Sequence, residues 1–323
     1  MAASHTGQQQ EETSIAAPPT TRAVGITEIN GPLETLEAPL AAPTSGQVVL
    51  RIAGAGVGMW DQYERLGFLG DLPLPCALGW EGSGVVEAVG DGVTDLVVGD
   101  TVIAYARLAG FYAAHVVVPA TAVARAPRAV PLADAAALPI AASTAWQALV
   151  EHAQLRAGQT VLITAGAGGT GTYAIELAKH LEARALATAG ATNLAFVREL
   201  GADEVYDYAD PGTVDAIGRA HPDGVDVLLD CVSAENWARY APLVRPGGHA
   251  IGITPPLPDG PVGVARVDLI SHGDTATLDA IVALADRGVL HVHVGGRYPL
   301  ADAQRARDRL ATRHGRGRVL LVP

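Results

Sequence analysis

Hydrophobic and polar positions follow two different rhythms along the chain. Over residues 22–138, short apolar runs such as QVVLRIAGAGVG are separated by glycine and proline. Short strands punctuated in this way are typical of a compact β domain. Over residues 139–255, strand-like runs such as TVLITAG alternate with helix-like runs such as TGTYAIELAKHLEA. This alternation predicts a parallel sheet covered by helices.

The last part of the chain changes pattern again. It runs through a predicted helix, LDAIVALADRG, to the strand-like segments HVHVGG and RVLLVP, which we expect to return to the first domain. The predicted fold class is therefore α/β, with a doubly wound parallel sheet inserted into a β-rich domain. The predicted parts are a disordered tail over 1–20, the β-rich domain over 21–138, the inserted sheet over 139–270 and the returning segment over 271–323.

The length and composition favour an enzyme that acts on a small molecule. The chain has 323 residues, which is about twice a usual domain length, and two domains with a cleft between them suit such an enzyme. The hydrophobic share is 49%, but no uninterrupted apolar run reaches the roughly 18 residues that a membrane-spanning helix needs. We therefore expect a cytoplasmic protein that does not bind a membrane.

Charge and cysteine content exclude further classes. The net charge is −12 and Lys179 is the only lysine, so no broad basic surface can bind nucleic-acid phosphates. The arginines over residues 305–318 resemble the solvated face of a helix, with cofactor contact by Arg316 as the alternative. Cys76 and Cys231 lack the spacing of a disulfide framework or a four-cysteine zinc site, which indicates a reducing compartment.

The turn after the first inserted strand carries the chemistry of a nucleotide site. Gly166, Gly168 and Gly171 form G-x-G-x-x-G directly after TVLITA and before a predicted helix. Glycine permits the tight turn, the close approach of backbone to a pyrophosphate and the close packing of helix on strand. The N–H groups and the dipole at the helix start favour the negative charge. We therefore predict a dinucleotide cofactor.

The end of the next strand bears on which dinucleotide binds. An NAD enzyme places Asp or Glu about 20 residues after the glycines, where it accepts hydrogen bonds from the ribose. This chain has ATAG over residues 187–190, with no acid. A carboxylate would repel a 2′-phosphate, so its absence permits NADP. No arginine or lysine stands at this point of the sequence to bind the phosphate.

Four segments together resemble the quinone oxidoreductases of the medium-chain dehydrogenase/reductase superfamily. They are GWEGSGVVEAVG, AALPIAASTAWQAL, QTVLITAGAGGTGTYAIELAK and FVRELGADEVYDY, and they occur in the family's order. The resemblance covers nearly everything after residue 21. It implies a GroES-like catalytic domain interrupted by a Rossmann domain, with the active site in the cleft between them. It also implies a homodimer and hydride transfer from NADPH to a conjugated carbonyl substrate.

The resemblance argues against a zinc enzyme. Zinc alcohol dehydrogenases of the superfamily bind the ion through a Cys, a His in a Gly-His-Glu string and a second Cys. The matching positions are Gly58, Trp80 and Ile140, which cannot ligate a metal. Without zinc as a Lewis acid, quinones and enones are favoured over alcohols as substrates. His291 and His293 alternate like a fragment of a metal site, but no third ligand stands nearby in sequence.

The segment VGMWDQYERLG resembles the family's active-site string, Val-Asn-Phe-x-Asp-x-Tyr. Asp61 and Tyr63 match it, whereas Gly58 replaces the Asn and Met59 the aromatic residue. Tyr63 is the candidate catalytic residue, as a hydrogen-bond donor to the developing oxyanion or as a proton relay. The alternative is a tyrosine that packs under the cofactor, and Asp61 is expected to cap a helix. The expected substrate-pocket residues are Gly58, Met59, Trp60 and Trp80, the two tryptophans having ordinary core packing as an alternative.

The resemblance also implies contacts to the 2′-phosphate of NADPH. The family uses a Lys after the second strand and a Tyr after Gly-Ala-Asp, and these positions are Asn193 and Tyr208 here. Losing the Lys weakens the phosphate contact, while Tyr208 and the missing acid keep the preference for NADPH. The expected cofactor-binding residues are Thr144, Gly166, Gly168, Gly169, Thr170, Gly171, Thr188, Asn193, Tyr208, Val232 and Ile253.

Two other functions stay open at this point. A protein of this fold can bind NADPH without turnover, and the missing Asn at Gly58 favours that alternative. An S-adenosylmethionine-dependent methyltransferase also has a glycine-rich loop in a Rossmann-like core. The GroES-like segments and the lack of an acid after the second strand argue against the methyltransferase.

Overall fold

The computed structural model describes residues 19–323. The predicted disordered tail lies outside the described residues, apart from Pro19 and from Thr20, which begins the first strand. The strands of the described part are β1 (Thr20–Ile26), β2 (Glu34–Pro39), β3 (Gln47–Val57), β4 (Cys76–Ala77), β5 (Glu81–Val89), β6 (Thr101–Tyr105), β7 (His115–Pro119), β8 (Val123–Arg125), β9 (Thr160–Ile163), β10 (Arg184–Ala189), β11 (Glu204–Asp207), β12 (Val225–Asp230), β13 (Val244–Gly252), β14 (Ala265–Asp268), β15 (Val294–Pro299) and β16 (Arg318–Val322). The α-helices are α1 (Met59–Arg65), α2 (Leu132–Ala135), α3 (Pro139–Trp146), α4 (Gly169–His180), α5 (Leu194–Glu199), α6 (Thr213–Ala220), α7 (Ala234–Tyr240), α8 (Thr275–Asp286) and α9 (Ala303–Ala311), and a π-helical turn (Gln147–His152) continues α3.

The β-rich domain is organised around β3. A sheet has the order β15-β16-β3-β5-β6-β8, and β7 also pairs with β3, while β2, β1 and β4 form a smaller sheet. Strand β3 is buried along most of its length, with Arg51 as its exposed residue, which suits a strand in the middle of the sheet. The last strands of the chain thus join the sheet of the first part. Antiparallel pairing of β16 with β3 brings the residues before β16 close to the start of α1.

The second sheet is parallel throughout and has the order β11-β10-β9-β12-β13-β14. The strand order reverses between β9 and β12, which is the switch point where ligands bind in such sheets, at the carboxyl ends of the strands. The predicted α/β class, with a doubly wound sheet inserted into a β-rich domain, is confirmed.

Small side chains pack the helices onto the parallel sheet. Ala174 and Ala178 of α4 and Ala185 and Ala187 of β10 are buried in one cluster. Alanine lets helix and strand approach closely, so this core is dense and holds the strand ends rigidly. Among residues 19–323, no helix has both the length and the apolar character needed to cross a membrane.

Candidate active site

The glycine-rich turn between β9 and α4 forms a cradle of backbone. The N–H of Gly166 donates to the carbonyl of Thr188 at 2.8 Å, and the N–H of Gly168 donates to that of Ala165 at 2.8 Å. A Cβ on Gly171 would lie 2.3 Å from the Ala165 oxygen, so no larger residue fits there. Gly168 is the N-cap of α4, and no side chain caps this helix start. Its first amides are therefore available to an anionic ligand, which fits a dinucleotide.

Gly169 and Thr170 lie in the first turn of α4, and further expected cofactor residues lie along the carboxyl edge of the same sheet. Thr188 is buried near the end of β10, Val232 follows β12 and Ile253 follows β13. Because these strands and β9 are parallel neighbours, their carboxyl ends lie side by side at the switch point.

Thr144 reaches the junction of the two domains from α3. Its Oγ1 lies 2.7 Å from the Ile140 carbonyl oxygen and 2.8 Å from Oγ of Ser271. The hydroxyl of Tyr105, in β6, donates to the Ser271 carbonyl at 2.6 Å. This network ties α3 to the β-rich domain, and contact between Thr144 and a cofactor stays a prediction.

The expected 2′-phosphate residues gather at the end of β10. The N–H of Asn193 donates to the Gly190 carbonyl at 2.8 Å. The Tyr208 ring lies over Gly190, with its nearest atoms 3.4 to 3.7 Å from where a Cβ on that glycine would be. Tyr208 is 40% exposed.

Arg316, for which cofactor contact was only the alternative prediction, supplies a cation at this place. Arg316 donates from Nε to Oδ1 of Asn193 at 2.8 Å and from Nη2 to the Thr192 carbonyl at 3.0 Å. Its guanidinium carbon also lies 5.0 Å from the centroid of the Phe196 ring. The end of the chain therefore supplies the positive charge that the sequence around β10 lacks.

The helix interpretation of the arginine-rich segment is wrong for its second half. Helix α9 ends at Ala311, and Arg313 has a left-handed φ of 55°. The chain then runs through Gly315 and Gly317 into β16. Those two glycines were the available signal, because alternating glycine breaks a helical face.

The segment before β16 contacts the glycine-rich turn. The N–H of Gly317 donates to the Ala167 carbonyl at 2.9 Å. Cδ of Arg318 lies 2.5 Å from the point where a Cβ on Gly169 would be. Arg318 is buried and paired with Glu81, and burial lowers its pKa to about 10. A buried cation thus stands beside the turn expected to meet the pyrophosphate.

Helix α1 begins at Met59, two residues before Asp61, which was expected to cap the helix start. Gly58 is the N-cap. The Asp61 carboxylate accepts hydrogen bonds from the Gly58 N–H and from the Tyr112 hydroxyl, both at 2.7 Å. Asp61 therefore accepts a hydrogen bond from the N–H of the N-cap residue, but it does so from inside the first turn of the helix. Burial raises the pKa of Asp61 to about 6, although both hydrogen bonds act in the opposite direction.

A second buried carboxyl group lies one turn along the same helix. Oε2 of Glu64 accepts a hydrogen bond from Nε1 of Trp80 at 2.8 Å. Burial and the neighbouring Asp61 raise the pKa of Glu64 to about 8, so this group is uncharged at neutral pH. Trp80 itself is fully buried, which corrects the expectation that it lines the pocket directly.

The other predicted pocket residues surround the catalytic candidate. The Trp60 ring stacks on Trp80 at 5.6 Å between centroids and meets the Tyr63 ring edge-on at 5.5 Å. Met59 is 38% exposed, whereas Trp60 and Tyr63 are half-buried. Within residues 19–323 the Tyr63 hydroxyl has no hydrogen-bond partner, so it is free to donate to a ligand.

The three positions that carry zinc ligands in the superfamily's alcohol dehydrogenases carry residues with other partners here. Gly58 has no side chain, the Trp80 indole is bound to Glu64, and the backbone N–H of Ile140 donates to Glu81 at 2.7 Å. In the described part of the chain, no group of three or more His, Cys, Asp or Glu side chains is arranged to hold a metal ion.

The two alternating histidines have a protein partner instead. His291 Nδ1 and His293 Nε2 lie 3.0 and 3.2 Å from Oε1 of Glu176, a buried residue of α4. Both histidines precede β15 rather than lying in it. These contacts join the segment before β15 to helix α4 of the parallel-sheet domain.

Comparison with known proteins identifies the family. One family model, the alcohol dehydrogenase GroES-like domain, matches residues 44–128, and another, the zinc-binding dehydrogenase family, matches residues 200–321. A chloroplast envelope quinone oxidoreductase homolog from Arabidopsis thaliana is 31% identical over 312 residues, which cover 90% of this chain and 94% of that protein. The chain belongs to the medium-chain dehydrogenase/reductase superfamily, in its quinone oxidoreductase group. The predicted GroES-like and Rossmann folds are thereby confirmed.

Solved structures agree with this membership. A quinone oxidoreductase from Pseudomonas syringae has a TM-score of 0.87 and 28% identity, covering 94% of this chain and all of that one (100%). A mycobacterial protein complexed with NADPH has a TM-score of 0.83 and 29% identity over the same shares, 94% and 100%. Family membership supports an oxidoreductase that uses a nicotinamide cofactor.

Proposed function

We propose that this chain reduces a small conjugated carbonyl compound, a quinone or an enone, with NADPH and without zinc. The proposal rests on the residues at the three positions where the superfamily's zinc enzymes carry their metal ligands. Gly58 and Ile140 offer no ligand atom, and the Trp80 indole is already bound to Glu64. Without a metal ion as Lewis acid, negative charge that develops on a single oxygen of the substrate is less well stabilised. A conjugated acceptor spreads that charge over several atoms and needs less help.

The chain's own groups position and protonate the substrate. NADPH supplies the hydride when bound, and it leaves as NADP⁺. With an enone, the hydride pair forms a C–H bond at the β-carbon, and the pair of the C=C bond moves to give an enolate. The enolate then takes a proton from the Tyr63 hydroxyl or from water. Orientation in the cleft and exclusion of water supply most of the acceleration.

The preference for NADPH rests on the end of β10. Ala189 and Gly190 offer no carboxylate to repel a 2′-phosphate, and Tyr208 lies over Gly190. Arg316, held beside Asn193, supplies a guanidinium that pairs well with phosphate oxygens. The glycine-rich turn and Arg318 would hold the pyrophosphate.

The test is oxidation of NADPH by the purified protein with a panel of enones and quinones, in the presence and absence of a chelator. We expect turnover of at least one acceptor, unchanged by the chelator, and no oxidation of simple alcohols with NADP⁺. Loss of activity in the chelator, restored by added zinc, would overturn the zinc-independent proposal.

A second candidate is a protein that binds NADPH without turnover. The glycine at residue 58 favours it, since the Gly58 N–H is bound to Asp61 and no side chain there can polarise a substrate. Tight NADPH binding with no oxidation across the whole panel would support this candidate instead.

A further inference from the structure

A row of aromatic rings runs through α1 and ends at an arginine. The rings of Phe68, Tyr63, Trp60 and Trp80 follow one another with centroids 5.9, 5.5 and 5.6 Å apart. The guanidinium carbon of Arg107 lies 5.1 Å from the Trp80 centroid. The row leads from Phe68, which is 70% exposed, to Trp80, which is fully buried.

Packing of the domain core explains Trp80, which is fully buried, but not Trp60, Tyr63 and Phe68, which lie outside the buried core. Aromatic residues make up only 5% of the chain, and the domain cores are built mainly from alanine, valine, leucine and isoleucine. The three rings outside the core are therefore a local concentration of aromatic residues. Aromatic faces stack favourably on flat conjugated molecules, so the row suits a planar ligand.

Arg107 adds a charge to this surface. It follows β6, is exposed, and takes part in none of the ion pairs among residues 19–323. Arg107 and Trp60 both lie against the ring of Trp80, so the cation and the aromatic row share this residue. A guanidinium without a carboxylate partner is free to bind an anionic group of a ligand.

Of the three acidic groups nearby, Asp61 is mostly ionised at pH 7, whereas Glu64 is neutral and Glu81 is paired with a cation. The Glu64 carboxyl group accepts a hydrogen bond from Trp80. Burial and the neighbouring Asp61 raise the pKa of Glu64 to about 8, so this group is neutral at pH 7. Asp61 is buried and hydrogen-bonded by Tyr112. Glu81 is paired with Arg318.

We propose that the substrate is a flat conjugated carbonyl compound that carries an acidic group. Its rings lie along Phe68, Tyr63 and Trp60, and its carboxylate or equivalent anion binds Arg107. This inference rests on the proposed function, because it names the substrate class of the same cleft. A charge-assisted hydrogen bond between guanidinium and carboxylate changes affinity by about tenfold.

The test uses three enones with one common framework: benzylideneacetone and its para-carboxylate and para-carboxamide derivatives. The carboxamide matches the carboxylate in size but is uncharged. We expect kcat/KM for the carboxylate to exceed that for the carboxamide by about tenfold. Arg107→Gln removes this difference and leaves the carboxamide unchanged. Arg287→Gln, at an exposed arginine after α8, is the matched control and keeps the difference.

The aromatic row is tested separately. Phe68→Leu keeps an apolar side chain at an exposed position, so the fold is retained. We expect it to lower kcat/KM for all three aromatic enones several-fold and to leave methyl vinyl ketone, which has no ring to stack, unchanged.

A binding measurement separates this inference from the proposed function. Quenching of tryptophan fluorescence by the para-carboxylate enone, with NADP⁺ present, reports affinity without turnover. Binding that Arg107→Gln weakens about tenfold supports the inference even if no turnover occurs. Turnover or binding in which the carboxylate has no advantage over the carboxamide, or in which Arg107→Gln leaves the advantage intact, overturns it.

Discussion

Arg316 and Asn193 are joined by a hydrogen bond from Nε of the arginine to Oδ1 of the asparagine, 2.8 Å long, although they lie 123 positions apart in sequence. Asn193 occupies the position where related reductases are expected to carry a lysine for the 2′-phosphate. The positive charge at this site therefore comes from the segment before β16 instead. A cation held by two hydrogen bonds and by the Phe196 ring is preorganised for a phosphate, which lowers the entropy lost on binding.

We predict that Arg316→Gln weakens NADPH binding about tenfold, roughly 1.4 kcal/mol, and leaves NADH binding unchanged. Only NADPH carries the 2′-phosphate, so only its affinity depends on the guanidinium. Fluorescence titration of both cofactors measures the ratio. Arg305→Gln, on the exposed face of α9, is the control and should change neither affinity. Equal losses for both cofactors would show that Arg316 supports the loop rather than the phosphate.

Sequence patterns predicted the parts of the molecule that depend on local order. The glycine turn, the short apolar runs of the β-rich domain and the β-α rhythm of the inserted sheet are all short-range features. Each depends on residues within about one turn or one strand of each other. The expected cofactor residues beyond the glycine turn came instead from the resemblance to the quinone oxidoreductases.

The contacts that were missed join residues far apart in sequence. Arg107 meets Trp80, Tyr112 meets Asp61 and Glu176 meets both His291 and His293 only after the chain has folded. No periodicity or spacing encodes such pairs. For Trp80 the sequence left pocket lining and core packing open for the same reason, since the choice depends on contacts with other elements, such as the one with Trp60.

We predict that two glycine substitutions separate cofactor binding from folding. A Cβ on Gly168 would lie 3.2 Å from the Ala165 oxygen, which a small shift relieves, whereas on Gly171 it would lie 2.3 Å away. Gly168→Val should therefore abolish measurable NADPH binding by filling the cradle, with little change in stability. Gly171→Ala should lose about 2 kcal/mol of stability through steric overlap. Thermal unfolding and NADPH titration of both variants check this, and a stable Gly171→Ala protein would contradict it.

We predict that Glu64 makes the protein less stable as pH rises. Its pKa is about 8 in the folded protein against an ordinary 4.5. At pH values between 4.5 and about 8, Glu64 keeps its proton in the folded protein but has lost it in the unfolded chain. The free energy of unfolding therefore falls as the pH rises through this range. Glu64→Gln removes the titration, and its amide oxygen can still accept the Trp80 hydrogen bond.

The variant should match the wild type near pH 4 and exceed its stability near pH 8 by on the order of 3 kcal/mol. Denaturant unfolding at several pH values measures the difference. Glu199→Gln, at an exposed residue of α5, is the control and should follow the wild type. A Glu64→Gln variant that loses stability in parallel with the wild type would contradict the assignment.

We predict that Tyr63 assists turnover without being indispensable. Hydride arrival at a β-carbon places charge on an oxygen that needs a donor, and the Tyr63 hydroxyl is free within residues 19–323 to provide one. An enolate is also stabilised by delocalisation and can take its proton from water. Losing one hydrogen bond should therefore cost less than losing a dedicated acid.

Tyr63→Phe keeps the ring, and with it the contacts to Trp60 at 5.5 Å and Phe68 at 5.9 Å, while removing only the hydroxyl. We expect kcat for an enone to fall by roughly 10- to 100-fold, about 1.4 to 2.7 kcal/mol of transition-state stabilisation, with unchanged NADPH affinity. Steady-state kinetics at saturating NADPH measure the fall, and Tyr298→Phe, in β15, is the control. An unchanged kcat in Tyr63→Phe would assign the residue to packing and leave water as the proton source.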